Sequence, residues 1–179
     1  TDTVDGRRRS LAGSFFAVLD PNATGNAQVA QTYGRYSVRF RTVGGYPANH
    51  AGPGYGSAFL LWPADDTWNN GEVDFPEMAW GGKIGGFVHT IGNPSVNANV
   101  VTSNVPTDDT WHVATIEWKP TALVFSVDGN VLQTVTKNVP NKPFRYGFQS
   151  GGHDGTPADG VTGQLLVDWI TIDAWDGKA

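Results

Sequence analysis

Arg35-Tyr36-Ser37-Val38-Arg39-Phe40-Arg41 alternates polar and apolar side chains without a break. A period of two puts Tyr36, Val38 and Phe40 on one face and the arginines with Ser37 on the other, which reads as a half-exposed strand. The same kind of signal spreads outward from it. Residues 57–62, Ser-Ala-Phe-Leu-Leu-Trp, read as a fully buried strand stopped by Pro63. Strands are predicted at residues 72–80 and 86–91, with a Gly81-Gly82 turn between them. Residues 111–118 alternate again, and Lys119-Pro120 turns into residues 123–127. Asp128-Gly129 is a strong hairpin signal leading to residues 131–136, and residues 144–150 and 164–172 complete the set. Residues 42–56 are rich in Gly and Pro and read as a loop containing Tyr46, His50 and Tyr55. Residues 65–71 read as a polar turn, 93–104 as loop plus a weak strand, and 154–163 as loop. No amphipathic helix is found. About ten short antiparallel strands in one domain predict an all-β fold, a two-sheet β-sandwich.

Composition agrees and closes off several functions. The 179 residues suit a single domain over residues 1–179, with residues 1–10, including Arg7, Arg8 and Arg9, as a solvated, flexible end. Gly and Pro are abundant at 23 and 11, as many tight turns require. Cysteine is absent, so a disulfide framework, a thiolate nucleophile and a thiolate metal site are all ruled out. The formal charge of −5 repels phosphate and opposes nucleic acid as a partner. No apolar run is long enough to span a bilayer as a helix, so no membrane partner is expected. The chain starts without Met, consistent with a processed product. Seven Trp in an acidic, strand-rich protein point toward sugar, since aromatic faces stack on pyranose rings; the competing reading is that most of them are core.

The chemistry concentrates in Gly71-Glu72-Val73-Asp74-Phe75-Pro76-Glu77. On a regular strand Glu72 and Asp74 share a face while Val73 and Phe75 point into a core. Glu77 has the wrong parity and would be driven into that core, where an unpaired carboxylate is costly. One extra residue, a β-bulge, restores Glu77 to the face of Glu72. Pro76 suits a bulge, which tolerates a missing N–H. The alternative is that the strand ends at Pro76. Three like charges so close repel one another, so stability gives no reason to gather them. An acidic edge or a calcium site is one reading. The other is glycoside hydrolysis by two carboxyl groups, one ionised and one protonated, with mutual repulsion helping to create the acid. Along the strand Glu72 and Glu77 would stand roughly 13 Å apart. Side chains leaning together would give the ~5–5.5 Å of a retaining pair, and a smaller lean the ~6.5–9.5 Å of an inverting pair.

These residues resemble glycoside hydrolase family 16. The family's mark is Glu-x-Asp-x-x-Glu or its bulge-free form, and Glu72-Val73-Asp74-Phe75-Pro76-Glu77 matches the longer version. Tyr33 to Arg39, Gly56 to Pro63, Trp111 to Pro120 with Phe125 to Gly129, and Leu165 to Ile170 resemble its other strands, in order. The resemblance implies a jelly-roll sandwich with a concave polysaccharide-binding face and a retaining double displacement. On it, Glu72 matches the nucleophile, Glu77 the general acid/base, and Asp74 the acid between them. His89 matches a histidine beside the nucleophile, though it also reads as an ordinary structural histidine. Trp80 matches a sugar platform or a core residue, and Gln149 a polar cleft residue. Asp168 matches a residue that binds a structural calcium in some members. Relative to the usual domain, strands are missing at the N-terminus, and with them the other calcium ligands. Leu60 and Trp62 stand where laminarinases commonly carry Trp and Leu, and Phe75-Pro76 replaces the commoner Ile-Met.

The reading that follows is a secreted, monomeric, endo-acting hydrolase of a β-linked polysaccharide, β-1,3- or mixed-linkage glucan favoured, with no cofactor for its chemistry. Three other readings stand beside it: a galactan-active or transglycosylating relative, a carbohydrate-binding sandwich without turnover, and a calcium-binding structural sandwich. Intact Glu72 and Glu77 separate the enzyme from the binder, which has no use for two repelling acids.

Overall fold

The computed structural model describes residues 2–4, 7–9, 14–19, 27–50 and 52–177, with residues 2–4, 7–9 and 14–17 described by their backbone alone. In chain order the strands are β1 (Asp2–Val4), β2 (Arg7–Arg9), β3 (Ser14–Ala17), β4 (Ala30–Gln31), β5 (Gly34–Gly44), β6 (Gly54–Pro63), β7 (Val73–Ala79), β8 (Lys83–Thr90), β9 (Asn93–Pro106), β10 (His112–Lys119), β11 (Ala122–Val127), β12 (Asn130–Val135), β13 (Phe144–His153) and β14 (Gly163–Asp173). A single 3₁₀ turn, Trp68–Asn70, is the only helical element among the described residues. Two antiparallel sheets form the body. One runs β12-β11-β10-β5-β14; the other runs β3-β13-β6-β7-β8-β9, with β4 also paired to β13. This is the two-sheet sandwich expected. Strands β1 and β2, within the stretch expected to be a flexible end, pair with each other; the rest of that stretch lies outside the described residues.

The alternation in β5 does what its period requires. Tyr36, Val38 and Phe40 are at most 1% exposed and lie opposite Ile116, Ala114 and His112 of β10. Phe59 and Leu61 of β6 with Val73 and Phe75 of β7 supply the facing wall of one continuous core. Phe75 meets Phe125 of β11 edge-on at 5.2 Å, and Phe40 meets Phe59 at 5.8 Å, so aromatic contacts tie one sheet to the other. Each large apolar side chain removed from water stabilises the fold by about 1.5–3 kcal/mol, which is what holds the two layers face to face. On the outer face of β5, the guanidinium groups of Arg39 and Arg41 lie over the Trp111 ring at 4.6 and 4.9 Å. The Asp128-Gly129 hairpin has φ of 51° and 78°, the left-handed pair that a two-residue turn between twisted strands demands.

Two expectations change. Residues 93–104 are not loop with a weak strand but most of β9, fourteen residues long, at the edge of the larger sheet. An edge strand needs only one buried face and one paired side, so its polar Asn and Ser residues face solvent without breaking the ladder. The loop expected over residues 42–56 is shorter at both ends, because β5 runs on to Gly44 and β6 starts at Gly54.

Strand β7 carries a bulge. Asp74 pairs with Leu60 and Glu77 with Ala58, so three steps on β7 oppose two on β6. The register against β8 shifts over the same residues, Asp74 facing Phe87 and Glu77 facing Gly85. The Phe75–Pro76 peptide is cis. Gly86 lies beneath the distortion: a Cβ there would stand 2.2 Å from the Asp74 carbonyl oxygen and 2.9 Å from the Phe75 ring. A bare backbone at position 86 is therefore part of how the bulge is housed.

Candidate active site

The bulge sorts the acidic segment onto two faces. Val73, Phe75 and Met78 join the core. Glu77 instead lines an open groove on the other face of the sheet, where two hollows of about 550 and 580 Å³ meet at it. One hollow lies over β6 and β13 and the other over β8 and β9, so the groove crosses the strands. A single row of paired residues forms its floor: Gln149, Ala58, Glu77, Gly85 and Thr102. Ala58 and Gly85, small residues on either side of Glu77, keep the groove open beside its half-buried side chain.

Glu72 precedes β7 and is buried, with its Oε2 accepting a hydrogen bond from the indole Nε1 of Trp68 at 2.6 Å. Trp68 reaches it from the 3₁₀ turn four residues upstream, and the residue is 41% exposed. Asp74 is buried and lies 2.9 Å from His89 Nε2, while Glu72 Oε2 stands 4.0 Å from the same nitrogen. His89 Nδ1 lies 2.7 Å from the carbonyl oxygen of Pro94. A carbonyl only accepts, so Nδ1 carries a proton and the Nε2–Oδ2 contact must hold a second one, on either atom. The hydrogen bond that His89 Nε2 makes to Asp74 pushes the His89 imidazole above its ordinary range. Burial pushes the Asp74 carboxyl up, against the opposing pull of the same hydrogen bond. Asp74 Oδ1 is buried without a hydrogen-bond partner.

The Glu77 carboxyl is also pushed up, first by burial and then by the negative charge of Glu72, while the charges of His89 and His153 act the other way. Glu72 and Glu77 are thus electrostatically coupled across Asp74. One carboxyl is oriented by an indole donor; the other holds its proton beyond the usual range. That division suits an acid and a nucleophile working on one bond.

The remaining expected residues divide. Gln149 is exposed and lines the hollow over β6 and β13. His89 stands beside Glu72 and Asp74. Trp80 is 7% exposed within the core, its indole donating to Ser57 Oγ at 2.9 Å. Its ring therefore offers no broad open face as a sugar platform; the exposed indole beside the acids belongs to Trp68, which sequence reading passed over as part of a polar turn. The position of Trp68 four residues before Glu72 was the available signal. His153 was also missed. It borders both hollows of the groove from the far end of β13.

Asp168 does not fit a calcium site among the described residues. Its carboxylate is taken by the guanidinium of Arg39. The one group of three potential ligands within 4.8 Å of one another is Glu72, Asp74 and His89. There, both imidazole nitrogens are already engaged in hydrogen bonds, so that trio does not fit a cation either.

The sequence model for glycosyl hydrolases family 16 matches residues 20–171. No curated protein matches the chain in sequence. Among solved structures, the chain resembles the catalytic domain of an endo-1,3-beta-glucanase (laminarinase) from Thermotoga petrophila RKU-1, with a TM-score of 0.64 and 19% identity over 81% of this chain and 65% of that one. It resembles the Bacillus licheniformis beta-glucanase with a TM-score of 0.64 and 18% identity, over 91% of this chain and 79% of that one. A GlcNAcα1-4Gal-releasing endo-β-galactosidase from Clostridium perfringens shows 22% identity and a TM-score of 0.62, over 94% of this chain and 47% of that one. The chain thus spans just under two thirds of the Thermotoga domain, and likeness at these identities speaks for the shared sandwich fold.

Proposed function

Because the chain belongs to glycosyl hydrolases family 16, we propose that it is an endo-acting hydrolase of a β-linked polysaccharide that works by retaining double displacement. Glu72 is the nucleophile and Glu77 the general acid/base. The observation that carries this reading is the bulge in β7, which brings Glu77 to the groove and into electrostatic range of Glu72.

In the first step Glu77, protonated, gives its proton to the glycosidic oxygen while Glu72 attacks the anomeric carbon. The bond to the leaving sugar breaks and a glycosyl ester forms on Glu72. In the second step Glu77, now ionised, takes a proton from water. The water oxygen attacks the same carbon, the ester bond breaks, and both carboxyl groups return to their starting states. Trp68 fixes the attacking carboxylate with its N–H and sets an exposed ring beside it. Asp74 and His89 hold their proton next to Glu72 and keep the local charge from accumulating as the cycle turns. No cofactor enters these steps.

The groove crosses five strands and is open along its length, which favours internal cleavage of a long chain over trimming of its end. β-1,3- and mixed-linkage glucans are the favoured substrates. The names of the Thermotoga and Bacillus structures point the same way. Such polymers cannot enter a cell intact, so we place the protein outside it, acting as a monomer. Among the described residues no helix is long and apolar enough to cross a membrane.

The test is release of reducing ends from a panel of purified β-glucans and galactans, with Glu72→Gln as control. Turnover of a β-glucan that disappears in the variant supports the reading. Binding without turnover in the wild type would leave a carbohydrate-binding protein, and galactan turnover alone would move the substrate.

A further inference from the structure

His89 sits where the sheet gives its backbone little regular support. Strand β7 starts only at Val73, so the chain beside His89 is the lead-in through Gly71 and Glu72. On the other side, the register with β9 shifts both before and after His89. The His89 N–H donates to the Glu72 carbonyl oxygen at 2.9 Å. Its carbonyl oxygen is taken by a side chain, Asn138 Nδ2 donating to it at 2.7 Å. Asn138 Oδ1 in turn accepts from the Ile91 N–H at 2.9 Å. One amide group thus satisfies a backbone carbonyl and a backbone N–H at the β8–β9 turn, as a neighbouring strand would.

Asn138 reaches this turn from the other sheet. It lies in the connection between β12 and β13, residues 136–143. Two residues on, the Pro140 carbonyl oxygen accepts from the indole of fully buried Trp118 in β10 at 2.9 Å, which ties the connection to the core. Asn138 has a φ of 59°, in the left-handed region that Asn tolerates better than most side chains. Gly71 lets the pieces close up: a Cβ there would stand 3.1 Å from Ile91 Cγ1 and 3.9 Å from Pro140 Cγ. The same turn also meets the second neighbour of Glu72. Its Gly92 N–H donates to the Asn69 carbonyl oxygen at 2.8 Å, within the 3₁₀ turn that carries Trp68. The β8–β9 turn therefore stands between His89 and Trp68, the two residues set against the Glu72 carboxylate, and Asn138 pins it to the opposite sheet.

We propose that Asn138 is a positioning residue of the reaction: by holding the His89 carbonyl and the Ile91 N–H, it sets the imidazole against Asp74 and Glu72. It lines neither hollow of the groove, so it acts through His89 and not on the substrate. The proposal rests on the hydrolase reading above, and the experiment separates the two. Asn138→Gly keeps the left-handed backbone and removes both hydrogen bonds. Asn138→Asp keeps the acceptor for Ile91 and removes the donor to His89, and it carries the test in case the glycine variant fails to fold. Initial rates on a β-glucan should show kcat lower by about tenfold in both variants, with KM within about twofold of the wild type. Proton NMR gives the second readout. The His89 Nδ1–H signal, sheltered by the Pro94 carbonyl and assigned by its absence from His89→Gln, should be present in the wild type and lost in both variants. A signal that survives in the variants, a loss carried by KM alone, or full kcat in Asn138→Asp would each overturn the proposal, as would absence of the signal from the wild type. A wild type without turnover, whose signal still disappears in the variants, would bring down the hydrolase reading instead, with the hold of Asn138 on His89 intact.

Discussion

The indole nitrogen of Trp68 donates to the Glu72 carboxylate oxygen that also faces His89, at 2.6 Å against 4.0 Å. The nearer, neutral donor orients the carboxylate, and the farther imidazole supplies field. Trp68→Phe removes the donor and keeps an exposed ring. A hydrogen bond to a charged group contributes about 1.5–3 kcal/mol, so kcat should fall roughly ten- to a hundredfold. Initial rates over a range of β-glucan concentrations check this. A change confined to KM would make Trp68 a binding residue only.

Glu72→Gln keeps the shape of the side chain and removes its nucleophilic charge. Turnover should drop by more than about 10⁴-fold while polysaccharide still retards the protein in native gels. Reducing-end assays on the purified variant decide it, and substantial residual turnover would move the nucleophile elsewhere.

Glu77→Ala should lower turnover by about 10²–10⁴-fold, with partial rescue by azide and a glycosyl azide of retained configuration as product. Product analysis by NMR reads the anomeric configuration; an azide of inverted configuration would mean that azide replaces the group removed at position 77 as nucleophile, and would overturn the acid/base role.

Burial and the Glu72 charge push Glu77 up, which gives two pH effects. The basic limb of the rate profile, where the acid loses its proton, should lie above the value of an ordinary glutamic acid. The same shift makes ionised Glu77 a cost to the folded state. That cost is full above the raised value and absent below the ordinary 4.5. Glu77→Gln should therefore raise the Tm at pH 7 and give no gain near pH 4. Calorimetry at the two pH values tests the sign.

His89→Ala leaves Asp74 buried without its partner. Breaking such a pair costs about 3–5 kcal/mol while the remaining group stays charged. Burial raises Asp74 in the fold, so the penalty is full above that raised value. It fades as the pH falls toward the ordinary 3.8, where the carboxyl is protonated in both states. Urea denaturation at several pH values measures it. A penalty independent of pH would mean that His89 acts through packing alone.

Much of this architecture was legible in the residue order. Tyr36, Val38 and Phe40 had a period that only a one-sided strand satisfies, and Asp128-Gly129 had the chemistry of one turn type. The wrong parity of Glu77 calls for either a bulge or an end to the strand at Pro76, and β7 takes the bulge. The failures share a cause, which is partnership between distant segments. The polar residues of β9 look like loop until β8 pairs with one side of them. Trp80 stays undecided between platform and core until the core closes over it, and Trp68 looks like turn until its indole meets Glu72. His153, 76 positions beyond Glu77 in the numbering, is brought to it only because β13 and β7 flank the same strand.

Gly86 sits against the peptide that bends between Asp74 and Pro76, with no space for even a methyl group. Positions 74, 75 and 86 are therefore tied to one another in any descendant of this chain. Straightening the bend would release the glycine, and a side chain at 86 would force the ribbon above it to straighten. Drift at either place alone is barred, and the two should be seen to change only as a set.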